Sequence, residues 1–245
     1  MKLSYALRDF FFPPICPGCY DVFKAEYGKE NEMCPTCKNK WELLKANICP
    51  SCGERFADCR CMPKLLKSSG VFSLIKLVPY GRSYTVSNNT VLYIKRRRDA
   101  RVIRFLSGQL SYEIERYIKK LGLRRDDAVI AFCPRRRSAV NKTGFDQARL
   151  LANEVSRQMN IPMSCAIKRS SILKKAQKKL NAAGRVKNAS GAFKISDNGE
   201  LKNKTVFLID DLVTTGATMA ECARLVRNAG AALTVGVCVA YTEKS

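Results

Sequence analysis

Val206-Phe207-Leu208-Ile209-Asp210-Asp211-Leu212-Val213-Thr214-Thr215-Gly216-Ala217-Thr218 is the run from which the fold can be read. Its first four residues are apolar without a break, too few for a helix and with no polar face. They predict a strand buried on both sides, as in a parallel sheet. Two carboxylates, Asp210 and Asp211, stand where that strand emerges. A small, hydroxyl-rich loop follows, with Thr214, Thr215, Gly216 and Thr218. Met219, Cys222, Ala223 and Val226 then recur at helical spacing, and Gly230 supplies a stop.

Strand, loop and helix in that order make an anion site. Open N–H groups at a helix start, a glycine that lets the backbone approach, and threonine hydroxyls together form a cradle for one phosphate. The carboxylates upstream would accept hydrogen bonds from a vicinal diol, and a diol beside a phosphate describes a ribose 5-phosphate. The plainer reading of the same residues is a polar turn whose aspartates cap a helix. The order of the thirteen residues resembles the phosphoribosyl pyrophosphate (PRPP) motif of type I phosphoribosyltransferases. That resemblance implies that Asp210 and Asp211 hold the ribose hydroxyls, that Thr214, Thr215, Gly216, Ala217 and Thr218 hold the 5-phosphate, and that Mg²⁺ accompanies PRPP.

Histidine is absent from the 245 residues, which removes Ser-His-Asp and Cys-His nucleophile pairs, histidine bases and histidine metal ligands. Phosphoribosyl transfer tolerates that restriction, since its work is electrostatic and positional. Composition is that of a soluble globular chain, at 46% hydrophobic and 27% charged. No signal peptide is visible, and the longest uncharged run falls well short of the about 20 residues a membrane span requires. The expectation is a cytoplasmic protein with no membrane insertion.

The net charge of +23 is uneven. Residues 1–65 hold 10 Lys or Arg against 8 Asp or Glu, and residues 66–245 hold 34 against 13. One ligand phosphate needs few cations, so the excess is either a solvated surface or a site for a polyanion.

Eight of the twelve cysteines lie between residues 16 and 61, as Cys16/Cys19, Cys34/Cys37, Cys49/Cys52 and Cys59/Cys61. Such close pairs form knuckles, two of which complete a tetrahedron around zinc. In a reducing compartment a disulfide framework is disfavoured. Eight ligands make two structural zinc sites, each fully thiolate with no open position. Sequential pairing gives Cys16, Cys19, Cys34, Cys37 and Cys49, Cys52, Cys59, Cys61 with the shortest loops; a crossed pairing stays open. Trp41, Leu43 and Leu44 are expected to pack between the two sites. The cysteine density collapses after Met62-Pro63, dividing the chain into a zinc-binding module, 1–65, and a second domain, 66–245.

Met1 to Ile15 predicts a short helix ended by Pro13 and Pro14. Val71 to Val78 predicts a strand, Tyr80 to Asn89 a turn-rich segment, and the region from Lys95 to Ile118 one helix with Lys95, Arg96, Arg97, Arg98, Arg101 and Arg104 opposite an apolar face. Ala128 to Phe132 predicts a buried strand that runs into Arg135, Arg136 and Arg137. Those arginines lie at the carboxyl edge of the sheet, where open α/β sheets bind ligands, and are candidates for the pyrophosphate end of PRPP. Gly144 to Gln147 opens a helix reaching Met159, and Met163 to Ile167 predicts another strand. Ser170 to Asn188 is lysine-rich and reads as a solvated excursion able to close over a reactive sugar.

These pieces together resemble the ComF/GntX family. They are F-F-x-P-P-x-C-P-x-C near the start, Tyr80, Lys95, Gly144-Phe145-x-Gln147, Gln177, Leu180, Arg185, Asn188, Gly191-Ala192-Phe193 and the run from Val206. The resemblance implies an α/β chain, with a type I phosphoribosyltransferase fold (a parallel-sheet core with flanking helices) behind a small amino-terminal zinc module. It also implies a role in natural competence, handling single-stranded DNA, with a helicase or recombination protein as neighbour. The chain departs from the family where Thr143 precedes Gly144 in place of arginine and Asp146 replaces asparagine. The leading expectation is a PRPP-binding and Mg²⁺-binding transferase that uses its basic surface on DNA. Two others stand beside it: a nucleic-acid-binding module that senses PRPP without chemistry, and a nucleobase salvage enzyme.

Overall fold

The computed structural model describes residues 13–23, 31–170, 191–196 and 199–242. The amino-terminal helix expected before Pro13 lies outside them, as do Gln177, Leu180, Arg185 and Asn188. In chain order the helices are α1 (Pro35–Ala46), α2 (Lys64–Ser68), α3 (Thr85–Arg96), α4 (Ala100–Leu121), α5 (Arg137–Thr143), α6 (Gln147–Met159) and α7 (Ala217–Asn228). The strands are β1 (Ser73–Tyr80), β2 (Ala128–Phe132), β3 (Ile167–Arg169), β4 (Phe193–Ile195), β5 (Thr205–Val213) and β6 (Leu233–Thr242).

Four strands form a parallel sheet in the order β1-β6-β5-β2. The run from Val206 is inner strand β5, and Val206, Phe207, Leu208 and Ile209 have no exposed surface. Helices cover both faces, as an unbroken apolar strand requires. Val102, Leu106 and Leu110 of α4 and Leu151 and Val155 of α6 pack on one face, while Met219, Cys222 and Val226 of α7 pack on the other. Close packing of α7 sets Gly236: a methyl group there would sit 2.7 Å from the Met219 sulfur and 2.9 Å from Leu74 Cδ1.

Between Lys95 and Ile118 the chain makes two helices where the apolar periodicity predicts one. Asp99 breaks it by capping α4, accepting from the Arg101 amide at 3.0 Å, while Arg97 is extended. A carboxylate that satisfies open N–H groups is worth more as a cap than inside a helix. Arg96, Arg97 and Arg98 therefore stand exposed at a corner. Thr85 also starts α3 within the segment expected to be turns.

The strand expected over Met163 to Ile167 is reduced to a bridge from Met163 to Ile130, framed by Ile130 N–H to Pro162 O (2.9 Å) and Ser164 N–H to Ile130 O (2.8 Å). The chain then leaves the sheet edge, and Ile167–Arg169 pairs antiparallel with β4.

The cysteine-rich segment packs directly on this core. Trp41 is fully buried, with its ring 5.9 Å from that of Phe105 on α4, in the core cluster that also holds Cys16 and Cys37 of the first cysteine set. Leu43, expected beside it, is 71% exposed: two positions further along α1, it lies on the far side of the helix and is turned to solvent. Phe56 and Leu66 join the opposite face with Leu74 and Tyr241.

Candidate functional site

Strand β5, the loop after it and the start of α7 enclose a cavity of about 200 Å³. It is lined by Asp210, the run from Leu212 to Met219, Arg136 and Arg169. Gly216 caps α7 in the left-handed region at φ 77°. A methyl group at Gly216 would also come within 2.9 Å of Leu66 Cγ on α2, so both backbone and space call for glycine. The Ala217 amide reaches Thr215 Oγ1 at 3.4 Å, which places hydroxyl and amide donors together at the helix N-terminus.

Both aspartates lie inside β5, which runs on to Val213, and neighbouring strand residues turn to opposite faces. Asp210 lines the cavity. Asp211, 3% exposed, is held by Lys95 Nζ at 3.3 Å and by the Gln147 amide at 3.1 Å. Gln147 Oε1 is itself buried without a hydrogen bond. Lys95 and Gln147, far apart in sequence, thus meet on one carboxylate. Burial and then the charge of Asp211 push the Asp210 carboxyl well above the usual range, with Lys95 pulling the other way.

The three arginines after β2 have three different situations. Arg136 lines the cavity. Arg135 is a brace: its guanidinium donates to Thr143 Oγ1 at 3.0 Å and to the Lys95 carbonyl at 3.3 Å, and its amide donates to Asp146 Oδ2 at 2.7 Å. Arg137, exposed at the first position of α5, does not line the cavity. Thr143 and Asp146 thereby acquire defined tasks, since Asp146 also caps α6 through the amides of Ala148 (3.1 Å) and Arg149 (3.3 Å).

Arg169, on β3, is a cavity residue that sequence reasoning missed. Its guanidinium lies 4.6 Å from the Phe193 ring centroid, and its buried Nε has no hydrogen-bond partner. Burial, then the like charge of Arg136, holds it below the ordinary guanidinium value. Two cations face one cavity, an arrangement suited to an anion with more charge than a single phosphate.

The eight cysteines fall into two sets, Cys16, Cys19, Cys34, Cys37 and Cys49, Cys52, Cys59, Cys61, whose sulfurs all lie within 4.8 Å of one another within a set. The sequential pairing is the one formed. Zinc with sulfurs at about 2.3 Å in a tetrahedron requires S···S edges of about 3.8 Å. In the first set Cys19 and Cys34 lie 3.9 Å apart, close to that edge, and the sulfurs of both sets lie near enough together that each could hold a zinc ion. A methyl group at Gly18 would meet Cys37 Sγ at 2.8 Å, which fixes glycine in the first knuckle.

Residues 146–245 match the family model described as phosphoribosyl transferase domain. Over 216 residues the chain is 24% identical to Competence protein ComFC of Bacillus subtilis, covering 84% of this chain and 82% of that one. With DNA utilization protein YhgH of Escherichia coli (strain K12) it shares 25% over 221 residues, covering 86% and 90%. With Competence protein F of Haemophilus influenzae it shares 33% over 90 residues, which span 36% of this chain and 39% of that protein. Among solved structures, an allosteric regulatory enzyme of purine biosynthesis aligns at TM-score 0.37 and 14% identity, over 60% of this chain and 30% of that one.

Parallel sheet, strand–loop–helix cavity and matched domain define a protein of the type I phosphoribosyltransferase fold that carries two four-cysteine clusters at its amino-terminal end. Over most of its length it is similar to proteins named for competence and DNA utilization.

Proposed function

We propose that the cavity at the end of β5 binds PRPP with Mg²⁺. The observation that carries this reading is the convergence of Asp210, the Thr214–Thr218 loop, Arg136 and Arg169 on one cavity. The threonine hydroxyls and the open amides of α7 take the 5-phosphate. Asp210 accepts from a ribose hydroxyl, and Asp211, fixed by Lys95 and Gln147, sets the strand end from behind. Arg136 and Arg169 take the charge of the pyrophosphate. Mg²⁺ supplies further neutralisation of that leaving charge when bound. As the C1–oxygen bond to pyrophosphate breaks, the sugar gains oxocarbenium character, and the two arginines stabilise what leaves.

Around this site we place two zinc ions in the four-cysteine sets, a module boundary near residue 65, and a surface for single-stranded DNA. Arg96, Arg97 and Arg98 favour the last, because they are exposed at one corner beside Lys95, whose carbonyl bonds Arg135. Relatives named for competence and DNA utilization support a role in the uptake and use of DNA, which we place in the cytoplasm beside a helicase or recombination protein. Among the described residues no helix is long and apolar enough to cross a membrane. Pyrophosphate release from PRPP, measured with single-stranded DNA or free bases present, tests the transferase reading. Release identifies the acceptor class, whereas intact PRPP binding without release leaves a PRPP-sensing nucleic-acid module.

A further inference from the structure

Lys76 is the sole charged residue of β1 and has no exposed surface. Strand β1 is otherwise buried along almost its whole length, and an ammonium taken out of water there is costly unless paired. Its partners are Cys59 Sγ at 3.3 Å, the Cys61 carbonyl at 2.6 Å, and the rings of Tyr241 and Phe56 at 4.5 and 5.0 Å from their centroids. Among the described residues no carboxylate is paired with it.

We infer that Lys76 is the counter-charge of the second cysteine set and that it ties metal binding there to the seating of that set on the sheet. The inference rests on the zinc reading of Cys49, Cys52, Cys59 and Cys61. Four thiolates around one divalent zinc carry a net charge of about −2, which is the anion Lys76 otherwise lacks. Zinc at this set therefore favours the burial of Lys76, and the buried Lys76 charge in turn favours the negatively charged zinc–cysteine set.

The geometry makes Lys76 a positioning residue between two units. Phe56 comes from the cysteine loop and Tyr241 from β6, and their rings stand 6.2 Å apart with Lys76 within reach of both. The first set is different. Its sulfurs meet backbone amides, among them Cys34 N–H to Cys16 Sγ at 3.4 Å, and one another, as at Cys19–Cys34, and among the described residues no lysine contact to them is seen. The two sets should therefore respond differently to loss of this lysine.

The test is native mass spectrometry and chelator competition on the full chain, comparing wild type, Lys76→Met and Lys76→Arg. Wild type should carry two zinc ions. Lys76→Met should surrender one of them at chelator concentrations about 10–100-fold lower, with the first set unchanged and Lys76→Arg recovering part of the loss. Unchanged chelator resistance at both sets in Lys76→Met overturns the inference alone. Wild type without zinc overturns the metal reading and the inference with it. Should Lys76→Met fail to fold, amine labelling of wild type decides: Lys76 should be protected with two zinc ions bound and labelled once the second set is stripped. Continued protection in folded, stripped protein contradicts the coupling.

Discussion

Lys95 Nζ lies 3.3 Å from Asp211 Oδ2, joining the end of α3 to the ligand end of β5. Asp211's carboxylate is 5% exposed and Lys95 is 27% exposed, so the pair is screened only on the lysine side. Lys95→Ala leaves a buried carboxylate with Gln147 as its remaining donor. The expected cost is about 2 kcal/mol of unfolding free energy, below that of a fully buried pair because Lys95 reaches water. A double-mutant cycle in urea with Asp211→Asn should return coupling; additivity would show that the contact is energetically idle.

Gly216 separates backbone demand from spatial demand. Gly216→Ala must adopt a left-handed φ and push on Leu66, so it should destabilise by about 1–2 kcal/mol and weaken PRPP binding more than tenfold. Leu66→Ala in the same chain should relieve the spatial part but not the backbone part. Thermal melts and titration of the two variants together read both; a Gly216→Ala protein that binds like wild type contradicts the loop geometry.

The arginines should divide by role. Arg136→Ala and Arg169→Met should each lower PRPP affinity about tenfold or more while leaving stability near wild type, because each removes a cation aimed into the cavity. Arg135→Ala should chiefly cost stability, about 1 kcal/mol, through lost bonds to Thr143 and the Lys95 carbonyl. Equal binding losses at all three positions would contradict this division.

Asp99 gives a pH signature. Burial raises its carboxyl, but the hydrogen bonds from Arg101 and Tyr93 outweigh it and set the folded value below the ordinary one. A depressed folded pKa contributes stability that is complete above the unfolded value of about 3.9 and is lost as pH falls through the folded value. Asp99→Asn keeps a capping side chain and loses the charge, so it should cost about 1 kcal/mol at neutral pH. That gap should close below about pH 4, and a constant gap across the range would refute it.

How far the sequence could be read follows the range of the interactions. The run from Val206 to Met219 is legible because strand, loop and helix start are contiguous, and the cavity forms from those same residues. Ala128–Phe132 is read to the residue, since every position is apolar and buried. The break at Asp99 is hidden because Val102, Leu106 and Leu110 continue the apolar spacing and only the cap contact reveals it. Arg169 carries no local signal at all: it reaches the cavity through pairing with Phe193, across a long intervening segment. Lys76 reads as an anomaly in a strand until its sulfur partner, 17 positions earlier, is known.

The most direct measurement is isothermal titration of PRPP with Mg²⁺ into the folded, zinc-loaded protein and into Asp210→Ala/Asp211→Ala. The account predicts saturable binding to wild type and none to the double variant with its fold intact. No heat of binding to wild type, or equal binding to both, would contradict a ribose-phosphate site at the end of β5.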